Sequence, residues 1–203
     1  MNKEEILTKY PALLRQEKNI QKYIDSIIQY NIHTNLVGKS TLADPWSKHV
    51  LDCLQLVPFI KNKNYSILDM GTGAGLPGVI LSLAGYKNVS LVDSNGKKIK
   101  FLKTIKEDLG LNLNIILGRL EKLHNLRFDI ITSRALAKLD ILFGYSQNFI
   151  KKNTVLIFLK GETVNKEILE AKKNWKFNFQ KYRSVSDSRG VILVIEGLSK
   201  TND

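Results

Sequence analysis

Apolar and polar residues follow two different rhythms along the chain, and the rhythm changes near residue 64. Up to about residue 60, apolar residues such as Ile20, Tyr23, Ile24 and the later Leu36 recur at the spacings of a helix with one buried face. A third helix is predicted to end near Pro58. After the polar residues 61–64, short apolar runs alternate with helix-like stretches. The pattern predicts a helical extension over residues 1–63 and a second domain over residues 64–203.

The second part of the chain predicts an α/β domain with a seven-stranded sheet. The predicted strands are Tyr65–Met70, Asn88–Asp93, Asn112–Leu117, Phe128–Ser133, Thr154–Lys160, Lys176–Tyr182 and Val191–Glu196. The predicted helices between them are Leu76–Ala84, Gly96–Leu109, Lys138–Ile150 and Thr163–Lys172. Nearly continuous apolar strands joined by helices are typical of a parallel sheet covered on both faces. The last two strands have too short a connection for a crossover helix, so we expect them to pair antiparallel.

The composition of the chain shows an excess of positive charge. Apolar residues make up 43% and charged residues 25% of the 203 residues, as in ordinary globular proteins. The chain has 31 Lys and Arg against 19 Asp and Glu, a formal net charge of +12. Such an excess favours a polyanionic partner, either nucleic acid or an anionic membrane surface. The alternative is that the lysines serve only solubility.

Several kinds of site and location are excluded by what the sequence lacks. The single cysteine, Cys53, cannot form an internal disulfide or a cysteine-cluster metal site, and its apolar surroundings predict a core position. His33, His49 and His124 lack the spacing of metal ligands. No signal-type segment or membrane-spanning run is present. We therefore expect a cytoplasmic protein with no metal site and no membrane contact. The sequence leaves the oligomeric state open, and a monomer is expected.

A glycine-rich turn after the first strand indicates a nucleotide-like cofactor. Gly71, Gly73 and Gly75 alternate where the backbone must turn tightly and approach a ligand. A dinucleotide fingerprint has its third glycine at relative position six, where this chain has Leu76. Asp69, two positions upstream of the first glycine, would repel a pyrophosphate and suits a cation. The pattern resembles motif I of the class I S-adenosylmethionine-dependent methyltransferases, whose Rossmann-like fold we therefore expect.

The next two strands end in further candidate contacts for a nucleoside. Asp93 ends the second strand, where a carboxylate can accept hydrogen bonds from both ribose hydroxyls. Its alternative role is to cap the helix that starts at Gly96. Leu120 and Glu121 follow the third strand, in the loop that contacts adenine in the methyltransferase fold. The residues considered so far predict cofactor contacts at Asp69, Gly71, Gly73, Asp93, Leu120 and Glu121.

The end of the fourth strand indicates the kind of acceptor. Enzymes that methylate exocyclic amines generally carry Asn/Asp-Pro-Pro-aromatic here, whereas this chain has Ser133-Arg134-Ala135. The nearest match to that motif, Asp44-Pro45-Trp46, lies upstream and predicts a turn that starts a helix. The site suits an acceptor that needs no deprotonation, such as guanine N7. Arg134 is then expected to contact guanine O6 or a phosphate.

Five segments in order carry a narrower resemblance. They are Asn35-Leu36, residues 48–52 (KHVLD), residues 69–78 (DMGTGAGLPG), residues 93–98 (DSNGKK) and residues 133–135 (SRA). Together they resemble the glucose-inhibited division protein B family, the bacterial 16S ribosomal RNA (guanine-N7) methyltransferases. Two positions depart from the family pattern. Ala74 stands where the family often has Pro, and Ser188-Arg189-Gly190 stands where Glu-Arg-His is common.

The resemblance implies a function and residues that perform it. It implies S-adenosylmethionine as cofactor, a methyltransferase domain over residues 64–203, and small-subunit ribosomal RNA or a ribosomal particle as partner. It assigns Gly71, Leu76, Leu120, Glu121 and Arg134 to the cofactor pocket. It places Arg119, Lys160 and Arg189 on the RNA side of the site. No catalytic residue is obligatory, and Arg134 and Lys160 are candidates for positioning the substrate.

Other basic and aromatic residues leave alternatives open. The lysines of the helix over residues 96–109 are expected to form a solvated face. Trp175, Phe177 and Phe179 alternate in a basic stretch, where they either stack on unpaired bases or form the buried face of a strand.

Three other functions compete with this one. A nicotinamide-dependent oxidoreductase would need Gly at position 76. A non-catalytic RNA-binding protein on the same scaffold would lose the cofactor residues. A methyltransferase for a different RNA is the third alternative.

Overall fold

The computed structural model describes residues 1–201, which form helices followed by a seven-stranded sheet. The helices are α1 Lys3–Lys9, α2 Glu17–Tyr30, α3 Asp52–Leu54, α4 Gly78–Leu83, α5 Gly96–Asp108, α6 Leu139–Ser146 and α7 Val164–Ala171. A π-helical turn, Trp46–Leu51, directly precedes α3. Shorter 3-10 turns occur at Pro11–Gln16, Lys39–Ala43, Val57–Phe59 and Leu120–Lys122.

The sheet has the topology that the strand–helix alternation predicts. Its strands are β1 Ser66–Met70, β2 Asn88–Asp93, β3 Leu113–Leu117, β4 Ile130–Arg134, β5 Val155–Lys160, β6 Trp175–Arg183 and β7 Val191–Lys200. Their order is β3-β2-β1-β4-β5-β7-β6. The first five strands pair in parallel, and β7 pairs antiparallel with both β5 and β6. The predicted α/β fold, with its antiparallel final pair, is confirmed.

The burial of the strands explains why this sheet could be predicted from the sequence. In β1 and β2 at the centre, nearly every residue is buried, because helices cover both faces. In β6, at one edge, buried or half-buried residues alternate with exposed ones over residues 175–180. The alternating aromatics lie on the covered face, where Trp175 and Phe177 pack on Phe143 with ring centroids 5.9 and 4.8 Å apart. Trp175 is a core residue, and Phe177 and Phe179 pack half-buried against the core, in agreement with the interpretation as the covered face of a strand.

The helices before β1 follow the predicted pattern only in part. In α2, Ile20, Tyr23 and Ile24 are buried, as the spacing predicts. Leu36 is buried in a loop instead, where the Asn31 side chain accepts hydrogen bonds from the backbone N–H groups of Leu36 and Val37. The third predicted helix is broken into the π-helical turn, α3 and a 3-10 turn that includes Pro58. A proline has no N–H to continue a helix, which accounts for the end of α3 before Pro58.

One apolar core joins these helices to the sheet. Residues of α1 and α2 belong to the same buried cluster as Ile67 of β1 and Ala74 of the glycine-rich turn, and Cys53 lies in it as predicted. The Tyr23 hydroxyl of α2 donates a hydrogen bond to the Ala74 carbonyl oxygen over 2.7 Å. The helical segment thus contacts the turn that the sequence assigns to the cofactor. No helix among residues 1–201 is long and apolar enough to cross a membrane.

The Tyr23 hydrogen bond leads to a stability prediction. Tyr23→Phe removes the hydroxyl and leaves the Ala74 carbonyl oxygen without this partner, so we expect a loss of about 1–3 kcal/mol in the free energy of unfolding. Denaturant unfolding measures it. The control is Tyr30→Phe, because the Tyr30 ring packs on Phe101 and its hydroxyl bonds no other residue within 1–201. Equal stability of the two variants would contradict the prediction.

Candidate active site

Two adjoining cavities lie at the carboxyl ends of the parallel strands. The larger, of about 1030 Å³, is lined by the loop at residues 35–41, by part of the glycine-rich turn, and by the ends of β4 and β5. The smaller, of about 480 Å³, is lined by the ends of β2 and β3 and by α6. Gly71, Lys98 and Ala135 line both cavities. A ligand that lies across these three residues would extend from one cavity into the other.

The glycine-rich turn forms the wall between the cavities. Gly71 has a φ of +63°, and a Cβ on it would collide with the Leu136 side chain. At Gly78, which starts α4, a Cβ would lie 3.0 Å from Oδ2 of Asp69. The turn is closed by backbone bonds from Gly75 and Leu76 to the Thr72 carbonyl oxygen. Its exposed peptide groups are therefore fixed before any ligand binds.

The predicted cofactor contact Asp69 lies away from both cavities. Its side chain is fully buried, and Oδ2 accepts hydrogen bonds from Thr72 Oγ1 at 2.5 Å and from the Gly78 N–H at 2.9 Å. Burial raises the pKa of this carboxyl to about 6, although the same hydrogen bonds oppose the rise. The structure thus favours a role in holding the turn over the predicted contact with the cofactor.

Asp93 lies on the wall of the smaller cavity. Its Oδ2 accepts from the Gly73 N–H at 2.9 Å and its Oδ1 from the Asn95 N–H at 2.8 Å. Each carboxylate oxygen retains a further lone pair for a ligand hydroxyl. The alternative role as helix cap is wrong, because the α5 cap is Asn95, whose side chain accepts from the Lys97 and Lys98 N–H groups.

The far side of the smaller cavity is formed by the loop after β3 and by α6. Leu120 and Glu121 line it, as does the exposed Arg119. Tyr145 of α6 also lines it, and the sequence analysis missed this residue. Burial raises the pKa of the Tyr145 hydroxyl, and the nearby Glu121 carboxylate raises it further. Only the packing of α6 against the sheet reveals Tyr145, since nothing in its sequence neighbourhood marks it.

Arg134 at the end of β4 is held by the π-helical turn and by the first residue of α3. Its guanidinium donates to Asp52 Oδ2 at 3.2 Å, to the Lys48 carbonyl oxygen at 3.2 Å and to His49 Nδ1 at 3.3 Å. Burial, and next the charge of Arg134, lower the pKa of His49 to about 4, so the imidazole is neutral at pH 7. Residues 48–52 therefore contact Arg134. The sequence did not predict this contact.

The His49 ring also connects Arg134 to the loop at residues 35–41 by hydrogen bonds. Because Nδ1 accepts from Arg134, the proton lies on Nε2, which donates to Thr41 Oγ1 over 3.0 Å. Thr41 Oγ1 donates in turn to the Gly38 carbonyl oxygen over 2.6 Å. This chain of hydrogen bonds fixes one wall of the larger cavity.

The predicted RNA-side residues fall in two places. Arg119 lines the smaller cavity, whereas Lys160 and Arg189 line the larger one. The Lys160 side chain is 9% exposed and its ammonium pairs with Glu167 at 2.6 Å, so its charge is neutralised inside the protein. Arg189 is 72% exposed and lies 3.7 Å from Asp187. Within residues 1–201, no group of three or more His, Cys, Asp or Glu side chains could hold a metal ion.

Comparison with known proteins identifies relatives over nearly the whole chain. The family model "rRNA small subunit methyltransferase G" (GidB) matches residues 16–193. A protein of that name from Paramagnetospirillum magneticum is 33% identical over 200 residues, 98% of each chain. Another from Rickettsia prowazekii is 35% identical over 183 residues, covering 90% of this chain and 95% of the relative.

Solved structures share the fold at lower identity. The ribosomal protein L11 methylase of Lactobacillus delbrueckii subsp. bulgaricus has a TM-score of 0.60 at 19% identity, covering 72% of this chain and 76% of its own. Methanococcus jannaschii TYW2, solved in complex with AdoMet, has a TM-score of 0.53 at 17% identity, covering 72% and 74%. Both support the methyltransferase fold.

The turn at Gly71 leads to a prediction for cofactor binding. In Gly71→Val the side chain collides with Leu136, which lines the smaller cavity, so we expect S-adenosylmethionine binding to be lost in calorimetry. The control is Gly85→Val. Gly85 also has a positive φ, +92°, but nothing lies within 4 Å of its Cβ position. Loss of binding in both variants would indicate backbone strain rather than a blocked site.

The buried Asp69 leads to a prediction for pH dependence. Its pKa is about 6 in the folded protein against an ordinary value of 3.8. The stability it contributes is therefore fully present below the ordinary pKa and is lost as the pH rises through about 6. Asp69→Asn cannot titrate, so its unfolding free energy should improve relative to the native protein by roughly 3 kcal/mol between about pH 4 and pH 7.

The comparison for Asp69→Asn is Asp129→Asn, which should change in the opposite direction. Burial would raise the pKa of Asp129, but hydrogen bonds from Lys151 and Ser66 outweigh burial and lower it. Asp129 therefore contributes stability that is present above its ordinary pKa of 3.8 and is lost as the pH falls below it, so its removal should cost less toward about pH 2 and a nearly constant amount between about pH 4 and pH 7. Denaturant unfolding from about pH 2 to pH 7 measures both variants, and the same trend in both would contradict this assignment.

Proposed function

The chain belongs to the rRNA small subunit methyltransferase G family, and on that premise we propose that it transfers a methyl group from S-adenosylmethionine to N7 of a guanine in 16S ribosomal RNA. The observation that carries the proposal is the pair of cavities joined at Gly71 and Ala135. One has the carboxylate and glycine backbone that suit a nucleoside, and the other is larger and opens beside it. The chain is thus an S-adenosylmethionine-dependent methyltransferase with room for an acceptor.

The residues present fit this cofactor. Asp93 suits the ribose hydroxyls, while Leu120 and Glu121 suit the adenine, since they line the same small cavity. Gly71 lines both cavities, where the cofactor would pass from one to the other, and Leu76 lines the larger one. When bound, S-adenosylmethionine supplies an electrophilic methyl group on a positively charged sulfur. The predicted contacts of Gly71, Gly73, Leu76, Asp93, Leu120 and Glu121 remain part of the proposal.

The larger cavity suits an acceptor that has no proton to lose. Its carboxylates Asp52, Glu167 and Asp187 are all engaged in ion pairs, and Glu162 lies at the exposed rim. A carboxylate held by a cation is a weak general base, because its charged form is stabilised. Guanine N7 carries a free lone pair, so its alkylation requires alignment and desolvation only. In this proposal the cavity supplies the alignment and the desolvation, and no general base is needed.

Arg134 acts in this proposal as a positioning residue. Its hydrogen bonds to Asp52 and His49 hold the wall of the larger cavity against the end of β4. Because Arg134 also lines that cavity, the predicted contacts with the cofactor and with guanine O6 or a phosphate remain predictions. An arginine cannot accept a proton, which disfavours the deprotonation that an exocyclic amine requires.

The finer properties of the partner belong to the same proposal. We place the enzyme in the cytoplasm as a monomer that acts on small-subunit ribosomal RNA, free or in a ribosomal particle. The intact cofactor residues, with Leu76 at the sixth position of the motif, argue against both the non-catalytic and the nicotinamide-dependent alternatives.

The test is the identity of the methylated atom. Purified protein is incubated with labelled S-adenosylmethionine and unmodified small-subunit ribosomal RNA, and the RNA is then treated with borohydride and aniline, which cleave at N7-methylguanine. We expect one new cleavage, with large-subunit ribosomal RNA as the matched control. A different RNA as the methylated species would support the third alternative. Label recovered as N6-methyladenine or N2-methylguanine would overturn the assignment of the acceptor atom but not that of the cofactor.

A further inference from the structure

Most cations around the larger cavity are neutralised by acids of the protein itself. Lys160 pairs with Glu167 at 2.6 Å, and Lys48 lies 3.7 Å from Asp187. Arg134 pairs with Asp52 at 3.2 Å. Such pairs contribute little net positive potential toward a phosphate. The net charge of +12 must therefore be exposed elsewhere on the molecule.

Helix α5 carries a group of cations without such partners. They are Lys97, Lys98, Lys100, Lys103 and Lys106. None forms an ion pair with another residue in the described range 1–201. Lys97, Lys100 and Lys103 are exposed, and their spacing of three places them along one side of the helix. We call these three residues the α5 lysine row.

Local physical chemistry disfavours this arrangement. The first turn of α5 contains Lys97 and Lys98 and no acidic residue, although the helix dipole favours negative charge there. Like charges three positions apart cost a few tenths of a kcal/mol per pair. The acids of the helix, Glu107 and Asp108, lie at its last two positions. Violations of local rules without internal compensation are expected at functional surfaces.

The position of the row connects it with the active site. Its helix begins directly after Asp93 and its cap Asn95, and Lys98 lines both cavities. At 1.5 Å per residue, the row from Lys97 to Lys103 extends roughly 9 Å along the helix away from the cavities. A polyanion that places one base in the larger cavity would therefore pass close to it.

We propose that the α5 lysine row binds the phosphate backbone of the RNA next to the acceptor guanine. The inference rests on the proposed function and adds a surface to it. Charge complementarity selects the occupant, because a row of unpaired ammonium groups matches a row of phosphates and each contact releases bound counterions. The expectation from sequence that these lysines form only a solvated face is the competing account.

The test compares two triple variants of equal charge. The first is Lys97→Gln, Lys100→Gln and Lys103→Gln, since Gln keeps helix propensity. The control, which also removes three charges, is Lys61→Gln, Lys152→Gln and Lys176→Gln. These three residues are exposed and lie at the opposite end of the sheet, near the amino ends of β1, β5 and β6. In case the first variant folds poorly, Lys100→Glu alone provides a second measurement, and cofactor affinity reports folding in every variant.

The readout is the affinity for small-subunit ribosomal RNA transcribed in vitro, measured across a range of salt concentrations. Each lost phosphate contact lowers the slope of log affinity against log salt by about 0.7–0.9. We expect the row variant to lose about 2 to 3 in slope and Lys100→Glu about 1, with a higher KM for RNA and unchanged kcat and cofactor affinity. The control variant should match the native protein.

The outcomes separate this inference from the proposed function. A row variant that matches the control, while the native protein methylates the RNA, overturns the inference and leaves the proposed function standing. If the native protein methylates neither this RNA nor unmodified small-subunit ribosomal particles, the proposed function is overturned, and the inference that rests on it falls with it. An effect on kcat alone would place these lysines in catalysis and would also overturn the proposed backbone contact.

Discussion

The candidate active site depends on the buried carboxylate of Asp69, which lies in β1 and accepts hydrogen bonds from Thr72 and Gly78. Burying a carboxylate is costly unless donors surround it, and here the donors are the two ends of the glycine-rich turn. The requirement to satisfy this one group therefore fixes the turn. Asp93 fixes its middle through Gly73. Because Asp69 holds the two ends of the turn and Asp93 holds its middle, the peptide groups between the two cavities need no rearrangement when a ligand binds.

A second anchored charge connects the helical segment to this framework. Arg134 leaves β4 next to β1, and its hydrogen bonds reach Asp52 and His49. Removing Asp52 would leave the Arg134 guanidinium without its counter-charge. The larger cavity thus has one wall from the sheet and one from the helices before it, so residues 1–63 contribute to the candidate active site as well as to the core. The predicted division into an extension and a methyltransferase domain describes the order of the chain and does not separate two functions.

These contacts also explain how far the sequence could be interpreted. Parallel strands buried on both faces appear as continuous apolar runs, so all seven strands were predicted within a few residues of their bounds. The turn at Gly71 was predicted because backbone strain demands glycine. The partners of Arg134 were missed, since Asp52 lies 82 positions away and only the fold brings the two together. Asp69 was assigned to the cofactor for the same reason, because a sequence motif does not indicate which way a carboxylate faces.

Charged residues are mostly paired around the larger cavity, and the lysines of α5 are unpaired within residues 1–201. Around the larger cavity most cations have an anion beside them, which keeps the buried charges satisfied and leaves the carboxylates poor bases. Such a well-ordered cavity suits a nucleophile that is already unprotonated and whose attack needs only alignment. Outside, α5 keeps its positive charges unpaired, where water and salt screen them until a polyanion arrives. The inner pairs thus favour the reaction, and the outer lysines favour the encounter with the RNA. Residues that look alike in the sequence separate into these two roles only through burial.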